Sequence, residues 1–268
     1  MGNEHALSEA VGRLVEVVAR LRGPGGCPWD REQTRATLRP YVTEEAFEVV
    51  EALDTGDAAK IREELGDLLF QVVLHAQLSA ERGEFDFREV AAGLAEKLVR
   101  RHPHVFGAET AKDAAAVEQR WEAIKRDERS ARGAGDSASV LDGVPTALPA
   151  LSRAQKVQDR AARVGFEWPD AAAALAKLDE ERRELGEAIA SRDAAAIERE
   201  LGDLLFAAVS AGRAARVHAE DALRGTIRRF TMRCTDLESS AARAGRDLQA
   251  LSGDELRRLW EAAKSREA

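Results

Sequence analysis

A chain of 268 residues, 44% hydrophobic and 33% charged, is long and apolar enough to bury two domain cores and does not have the composition of a disordered segment. Its 48 acidic residues against 40 basic ones leave a net charge of −8, which argues against a dedicated nucleic-acid binder but admits a phosphate ligand brought in with a divalent cation. No stretch nears the ~18 apolar residues of a membrane span, no apolar leader opens the chain, and Cys27 and Cys234 lack metal-ligand spacing. The expectation is a cytoplasmic protein in a reducing compartment, with neither a membrane nor a nucleic-acid partner.

Only 7 Pro and 5% aromatic residues, beside abundant Ala, Leu, Glu and Arg, predict helix throughout and no strand. The 4-3-4-3 stripe of Leu7, Val11, Leu14, Val18 and Leu21 predicts a first helix, stopped by Gly23-Pro24-Gly25-Gly26. A second is predicted over Thr43–Leu53, with Thr43 as its cap and Ala46, Val49, Val50 and Leu53 inward. After a turn at 54–57, a third covers Ala58–Glu81 with Ile61, Leu65, Leu68, Val72 and Ala76 on its apolar face. A fourth runs from Phe87 to His102-Pro103, where proline disfavours continuation, and a fifth, short one spans Val117–Arg129. The small, polar run SARGAGDSAS at 130–139 reads as a linker, so residues 130–147 are expected to join a first domain, 1–129, to a second, 148–268. The fold class is all-α: two tandem helical domains, each a bundle of four to five helices.

The second domain repeats the first. Ile61–Phe70 (IREELGDLLF) and Ile197–Phe206 (IERELGDLLF) agree at eight of ten positions. Glu45, Glu48, Glu64 and Asp67 return as Glu181, Glu184, Glu200 and Asp203, each displaced by 136. Each copy reads Glu-x-x-Glu, 15 residues, Glu-x-x-Asp, and the four tryptophans fall into two related pairs, Trp29 with Trp168 and Trp121 with Trp260. Residues three apart share a helix face, so each Glu-x-x-Glu and each Glu-x-x-Asp projects two carboxylates together, and the turn at 54–57 folds the two helices into one antiparallel pair. Four converging carboxylates repel one another unless a hard divalent cation with oxygen ligands joins them. On the helical wheel Lys60, Gln71 and His75 accompany Glu64 and Asp67, bordering the apolar stripe instead of lying opposite it.

These residues resemble the MazG family of nucleoside triphosphate pyrophosphohydrolases in its tandem-domain form. The marks are GCPWD (Gly26–Asp30), EExxE (Glu44–Glu48), ELGDLLF (Glu64–Phe70) and RRHPHVF (Arg100–Phe106). In the second half they are AQK (Ala154–Lys156), GFEW (Gly165–Trp168), EExxE (Glu180–Glu184) and ELGDLLF again. The resemblance implies a helical homodimer that hydrolyses nucleoside triphosphates, broad in base, to monophosphate and pyrophosphate, a cleaning of the nucleotide pool. It implies Mg²⁺, with Mn²⁺ as a substitute, at Glu45, Glu48, Glu64 and Asp67 and at Glu181, Glu184, Glu200 and Asp203. Glu44 or Glu180 would orient or deprotonate the attacking water. Lys60, Lys97, Arg101, Trp121 and Lys125, then Arg229, Arg233, Trp260 and Lys264, would surround the nucleotide, with Lys60 and Lys97 stabilising charge on the leaving pyrophosphate. Two other readings stand beside it: a narrower enzyme for pyrimidine deoxynucleotides or phosphoribosyl-ATP, and a catalytically silent helical module that binds Mg²⁺.

The copies differ around their acids. Lys60, Gln71 and His75 become Ala196, Ala207 and Ala211, Lys97 becomes Arg229, and Leu74 becomes Ser210. The retained basic and polar neighbours lead to the expectation that copy one is at least as competent as copy two.

Overall fold

The computed structural model describes residues 2–114, 116, 117, 120, 121, 123, 124, 128 and 139–266. The expected fifth helix and the linker therefore lie partly, and Lys125 wholly, outside the described residues. Among those described there is no strand, and no helix is long and apolar enough to cross a membrane. The chain divides into two compact units, Met1–Gly133 and Ala134–Ala268.

The first unit contains α1 (Gly2–Arg22), α2 (Pro28–Glu32), α3 (Arg35–Thr55), α4 (Ala58–Ala80), α5 (Phe87–Arg101) and α6 (Pro103–Phe106). Helix α3 starts eight residues before the expected Thr43. Thr34 is its cap, joined to Thr37 in a capping box: Thr37 N donates to Thr34 Oγ1 at 3.2 Å and Thr34 N donates to Thr37 Oγ1 at 2.9 Å. Pro40 lies inside this helix; it withholds one backbone donor, a loss the doubled cap and the packing of Leu38 outweigh. Gly56, at φ 69°, closes α3, and Asp57 Oδ1 accepts from Ala59 N at 2.9 Å to open α4, so two residues turn the chain into a helical hairpin.

The core gathers Val18, Leu38, Val73, Leu74 and Leu78, with Leu14, Val15, Phe70 and Phe87 against it. The expected inward faces need correcting. Leu65 and Val72 are 49% and 41% exposed, and Ala46 and Leu53 are exposed too. Helix α4 is apolar on two sides, and the side turned into this unit is the one carrying Phe70, Val73, Leu74 and Leu78.

The second unit contains α7 (Ala150–Ala162), α8 (Ala171–Ser191), α9 (Ala194–Ala214), α10 (Ala219–Arg243), a 3₁₀ turn (Leu248–Ala250) and α11 (Gly253–Ser265). The hairpin recurs as α8 and α9, here turned by Arg192 at φ 57° and capped by Asp193 Oδ1, which accepts from Ala195 N at 3.1 Å and Ala196 N at 3.2 Å. Arg160 holds the turn before α7 to this unit by donating to the carbonyls of Asp142 and Gly143.

Candidate active site

Each hairpin brings three of its four predicted acids together. Carboxylate oxygens of Glu45, Glu48 and Glu64 lie within 4.8 Å of one another, and those of Glu181, Glu184 and Glu200 do the same. Asp67 and Asp203 stand outside these triplets. Asp67 is still close enough to act on both Glu45 and Glu64. The Glu45 carboxyl is pushed up by desolvation and then by Glu48 and Asp67, and Glu64 is raised by the same causes in the same order. Among the described residues no cation pairs with Glu45, Glu48 or Glu64. An all-oxygen, mutually repelling donor set of this kind fits a hard divalent ion such as Mg²⁺.

The second triplet is more deeply set and already compensated. Glu181 is 6% exposed, and Lys177 Nζ lies 2.7 Å from it and 2.9 Å from Glu180. Those two hydrogen bonds raise the Lys177 ammonium well above its ordinary range. Arg183 reaches Glu184 at 3.3 Å and Arg199 reaches Glu200 at 3.0 Å.

A cavity of about 660 Å³ opens beside this second triplet, with Glu181, Asp203 and Lys177 on its wall. The rest of the wall is largely apolar and includes Val157, Val164, Phe166, Trp168 and Phe206, with Val140 and Leu141 contributed by the turn before α7. Phe166 is 80% exposed although it borders the cavity, so an aromatic ring stands free at the mouth. Unequal side-chain volume accounts for the space. Ala207 and Ser210 line the cavity where the first unit carries Gln71 and Leu74, and buried Ala174 stands where it carries Leu38. In the first unit Leu38 and Leu74 are both in the core cluster, and Gln71 is buried with its Oε1 unpartnered.

The remaining predicted residues are placed within their own units. Lys60 is in the first turn of α4 and Lys97 is half-buried on α5. Arg101 is ion-paired with Glu128 at 2.6 Å, and the Trp121 ring lies 6.3 Å from that of His102. Arg229 donates to Thr226 Oγ1 at 2.9 Å, and Lys264 is 3.1 Å from Glu261. The Arg233 guanidinium sits 5.6 Å over the Trp260 ring, which also meets Phe230 at 5.0 Å. Within the second unit none of Arg229, Arg233, Trp260 and Lys264 borders the cavity. Glu44 is exposed and adds to the charge acting on Glu45.

Residues 33–106 and 170–237 match the MazG nucleotide pyrophosphohydrolase domain, once in each hairpin. The chain belongs to the MazG family. It is 42% identical over 262 residues to the nucleoside triphosphate pyrophosphohydrolase of Escherichia coli K12, covering 96% of this chain and 98% of that protein. It is 41% identical over 252 residues to the nucleoside triphosphate pyrophosphohydrolase/pyrophosphatase MazG of Thermotoga maritima, covering 94% of each. A nucleoside triphosphate pyrophosphohydrolase of Mycobacterium tuberculosis is 41% identical over 159 residues, 58% of this chain and 46% of that one.

Sequence reasoning overlooked three residues that line the cavity in the second unit. Lys177 lies one helical turn before Glu181, a spacing that pairs charges on a helix and was there to be read. Gln158 and Arg213 carried no such signal: they meet the cavity only because α7 and α9 pack together.

Proposed function

We propose that this chain hydrolyses nucleoside triphosphates to nucleoside monophosphate and pyrophosphate, and that the second unit does the chemistry. The observation that carries this is the cavity whose wall holds Glu181 and Asp203 together with Phe166, Trp168 and Phe206. The relatives' printed activities support the same reaction. Glu181, Glu184, Glu200 and Asp203 would hold Mg²⁺, with Mn²⁺ as a substitute; a bound metal would neutralise phosphate charge and lower the pKa of an attacking water. Lys177 orients Glu181 and offers its ammonium to the phosphates, and Glu180 is the nearest further carboxylate able to take a proton from water. Phe166 and Trp168 supply apolar faces that accept any base, in keeping with broad substrates.

This reading reverses the order of competence expected from Lys60, Gln71 and His75. The first unit retains its acids, but the positions that open the second unit's cavity are filled there by Leu38, Gln71 and Leu74. Its acids are read as a cation site that braces a hairpin.

A homodimer is supported by apolar side chains left exposed at the same register in both units: Leu53 and Ile189, Leu65 and Leu201, Leu69 and Leu205. The cytoplasm, where nucleoside triphosphates are made and spent, is the fitting compartment, and both cysteines are free thiols.

The test compares Glu181→Gln with Glu64→Gln in Mg²⁺-dependent turnover, resolving monophosphate plus pyrophosphate from diphosphate plus phosphate. Glu181→Gln should lose at least roughly a hundredfold in kcat and Glu64→Gln less than about threefold, on the scale of losing a group used in the transition state. The reverse ranking would return the chemistry to the first unit.

A further inference from the structure

The two triplets of acids are the same, and their cations are not. In the second unit each acid has a basic partner: Lys177 Nζ is 2.7 Å from Glu181, Arg199 Nη2 is 3.0 Å from Glu200 and Arg183 Nη2 is 3.3 Å from Glu184. Shifting these basic residues back by the 136-residue repeat gives Tyr41, Glu63 and Phe47. None of the three is basic, and Glu63 adds to the negative charge acting on Glu64. Among the described residues Lys60, four positions before Glu64, forms no ion pair with it.

These partners decide what a free divalent ion meets. In the first unit three carboxylates stand within 4.8 Å of one another with no cation paired to them, so an entering ion relieves repulsion and displaces nothing. In the second unit the ammonium of Lys177 already compensates the buried Glu181, and an ion that takes this carboxylate must displace it. Arg199 has to yield Glu200 in the same way, and Arg183 yields Glu184 most easily, because it keeps Glu187 at 2.6 Å. Lys177 already holds Glu180 at 2.9 Å, so a free ion brings it no new anion. A triphosphate does: its oxygens accept from the displaced ammonium while the metal it carries takes the acids.

We infer that Lys177, Arg199 and Arg183 keep the second unit's acids from free divalent ion, so that this site takes its metal with the triphosphate, while the first unit's acids hold an ion in the absence of nucleotide. The inference rests on the reading of both acid sets as cation ligands and of the second unit as the nucleotide's. An exposed ion pair is worth about two- to fivefold in an equilibrium constant, so three of them separate the two sites by about 10- to 100-fold. In the second unit metal and nucleotide then raise each other's affinity by the same factor.

The experiment dialyses the nucleotide-free full chain against Mn²⁺ and counts ions bound per chain, for the unsubstituted protein, Glu64→Gln and Glu200→Gln. The tighter ion should be lost in Glu64→Gln and kept in Glu200→Gln, and the weaker one should need about 10- to 100-fold more free Mn²⁺. A nucleoside triphosphate with a methylene bridge between its α and β phosphorus atoms resists cleavage. Adding it should bring an ion into Glu64→Gln at the lower Mn²⁺ level. Arg199→Glu, which places the first unit's residue in the second, should strengthen the weaker site about fivefold without nucleotide, and Glu63→Arg should weaken the tighter one; circular dichroism checks that both keep their helices. Equal affinities at the two sites of the unsubstituted chain, which needs no variant, would overturn the inference. So would a tighter ion that is lost in Glu200→Gln and kept in Glu64→Gln, or a weaker site that Arg199→Glu leaves unchanged. No ion in either unit, with the analogue or without it, would overturn the reading of the acids as ligands as well.

Discussion

Restoring the first unit's residue to the second should close the cavity while leaving the fold sounder, and the two effects have opposite signs. In Ser210→Leu the hydroxyl is replaced by three carbons at a buried position on the cavity wall. At about 0.8 kcal/mol per buried CH₂ those carbons contribute roughly 2 kcal/mol. The hydroxyl now donates to Phe206 O at 3.3 Å, and losing that bond costs about 1 kcal/mol. The net gain is about 1 kcal/mol, a rise in Tm of roughly 2–4 °C. Activity should move the other way. The added branch projects from the wall of the cavity that also holds Glu181 and Asp203, and displacing reacting groups by about 1 Å costs on the order of a hundredfold. The assay pairs pyrophosphate release with thermal unfolding of the same preparation. A fall in activity with a fall in Tm would indicate misfolding. Unchanged kcat/KM with a raised Tm would refute the assignment of this cavity to the nucleotide.

Two further outcomes follow from charge and from exposed apolar surface. Glu255, in the capping box of α11 and bonded to Arg246 and Ser252, has its carboxyl held down to about 2. A depressed carboxyl stabilises the fold above its ordinary value and loses that contribution as the pH falls from about 4.5 through about 2; Glu255→Gln should therefore lower Tm at pH 7 and shrink the drop between pH 7 and pH 3, with an undiminished drop counting against this ion pair. Leu65→Lys combined with Leu201→Lys charges the exposed stripe in both units without entering either core, so sedimentation should change from dimer to monomer while helicity by circular dichroism stays constant; a persistent dimer would direct the interface elsewhere.

What the sequence disclosed depended on whether the deciding feature is a residue or a space. The acids were readable because Glu-x-x-Glu and Glu-x-x-Asp fix angles on a helix. The hairpin turn does the rest, and three acids of each set meet within 4.8 Å. The inward faces were misread because Leu65 and Val72 are as apolar as Val73 and Leu74. A helix apolar on two sides has no single stripe, and periodicity cannot say which side faces its own unit. The start of α3 was missed because Thr43 has the chemistry of a cap, whereas the cap is Thr34, paired with Thr37, and the helix runs on through Pro40.

The duplication preserved the meeting of three acids in each hairpin and let the volume around them diverge. Identity at a catalytic position is visible residue by residue, but room for a nucleotide is an absence of atoms shared among several positions. Ala174, Ala207 and Ser210 are individually unremarkable, and the change of Gln71 and His75 to alanine looks like loss when only charge and polarity are weighed. In the second unit two of those small residues, Ala207 and Ser210, border a cavity that ends on Glu181 and Asp203. In the first, Leu38 and Leu74 pack into the core cluster. Polar neighbours lost to alanine are therefore the more informative difference between the copies, because alanine leaves open beside the acids a space that the first unit fills with side chains.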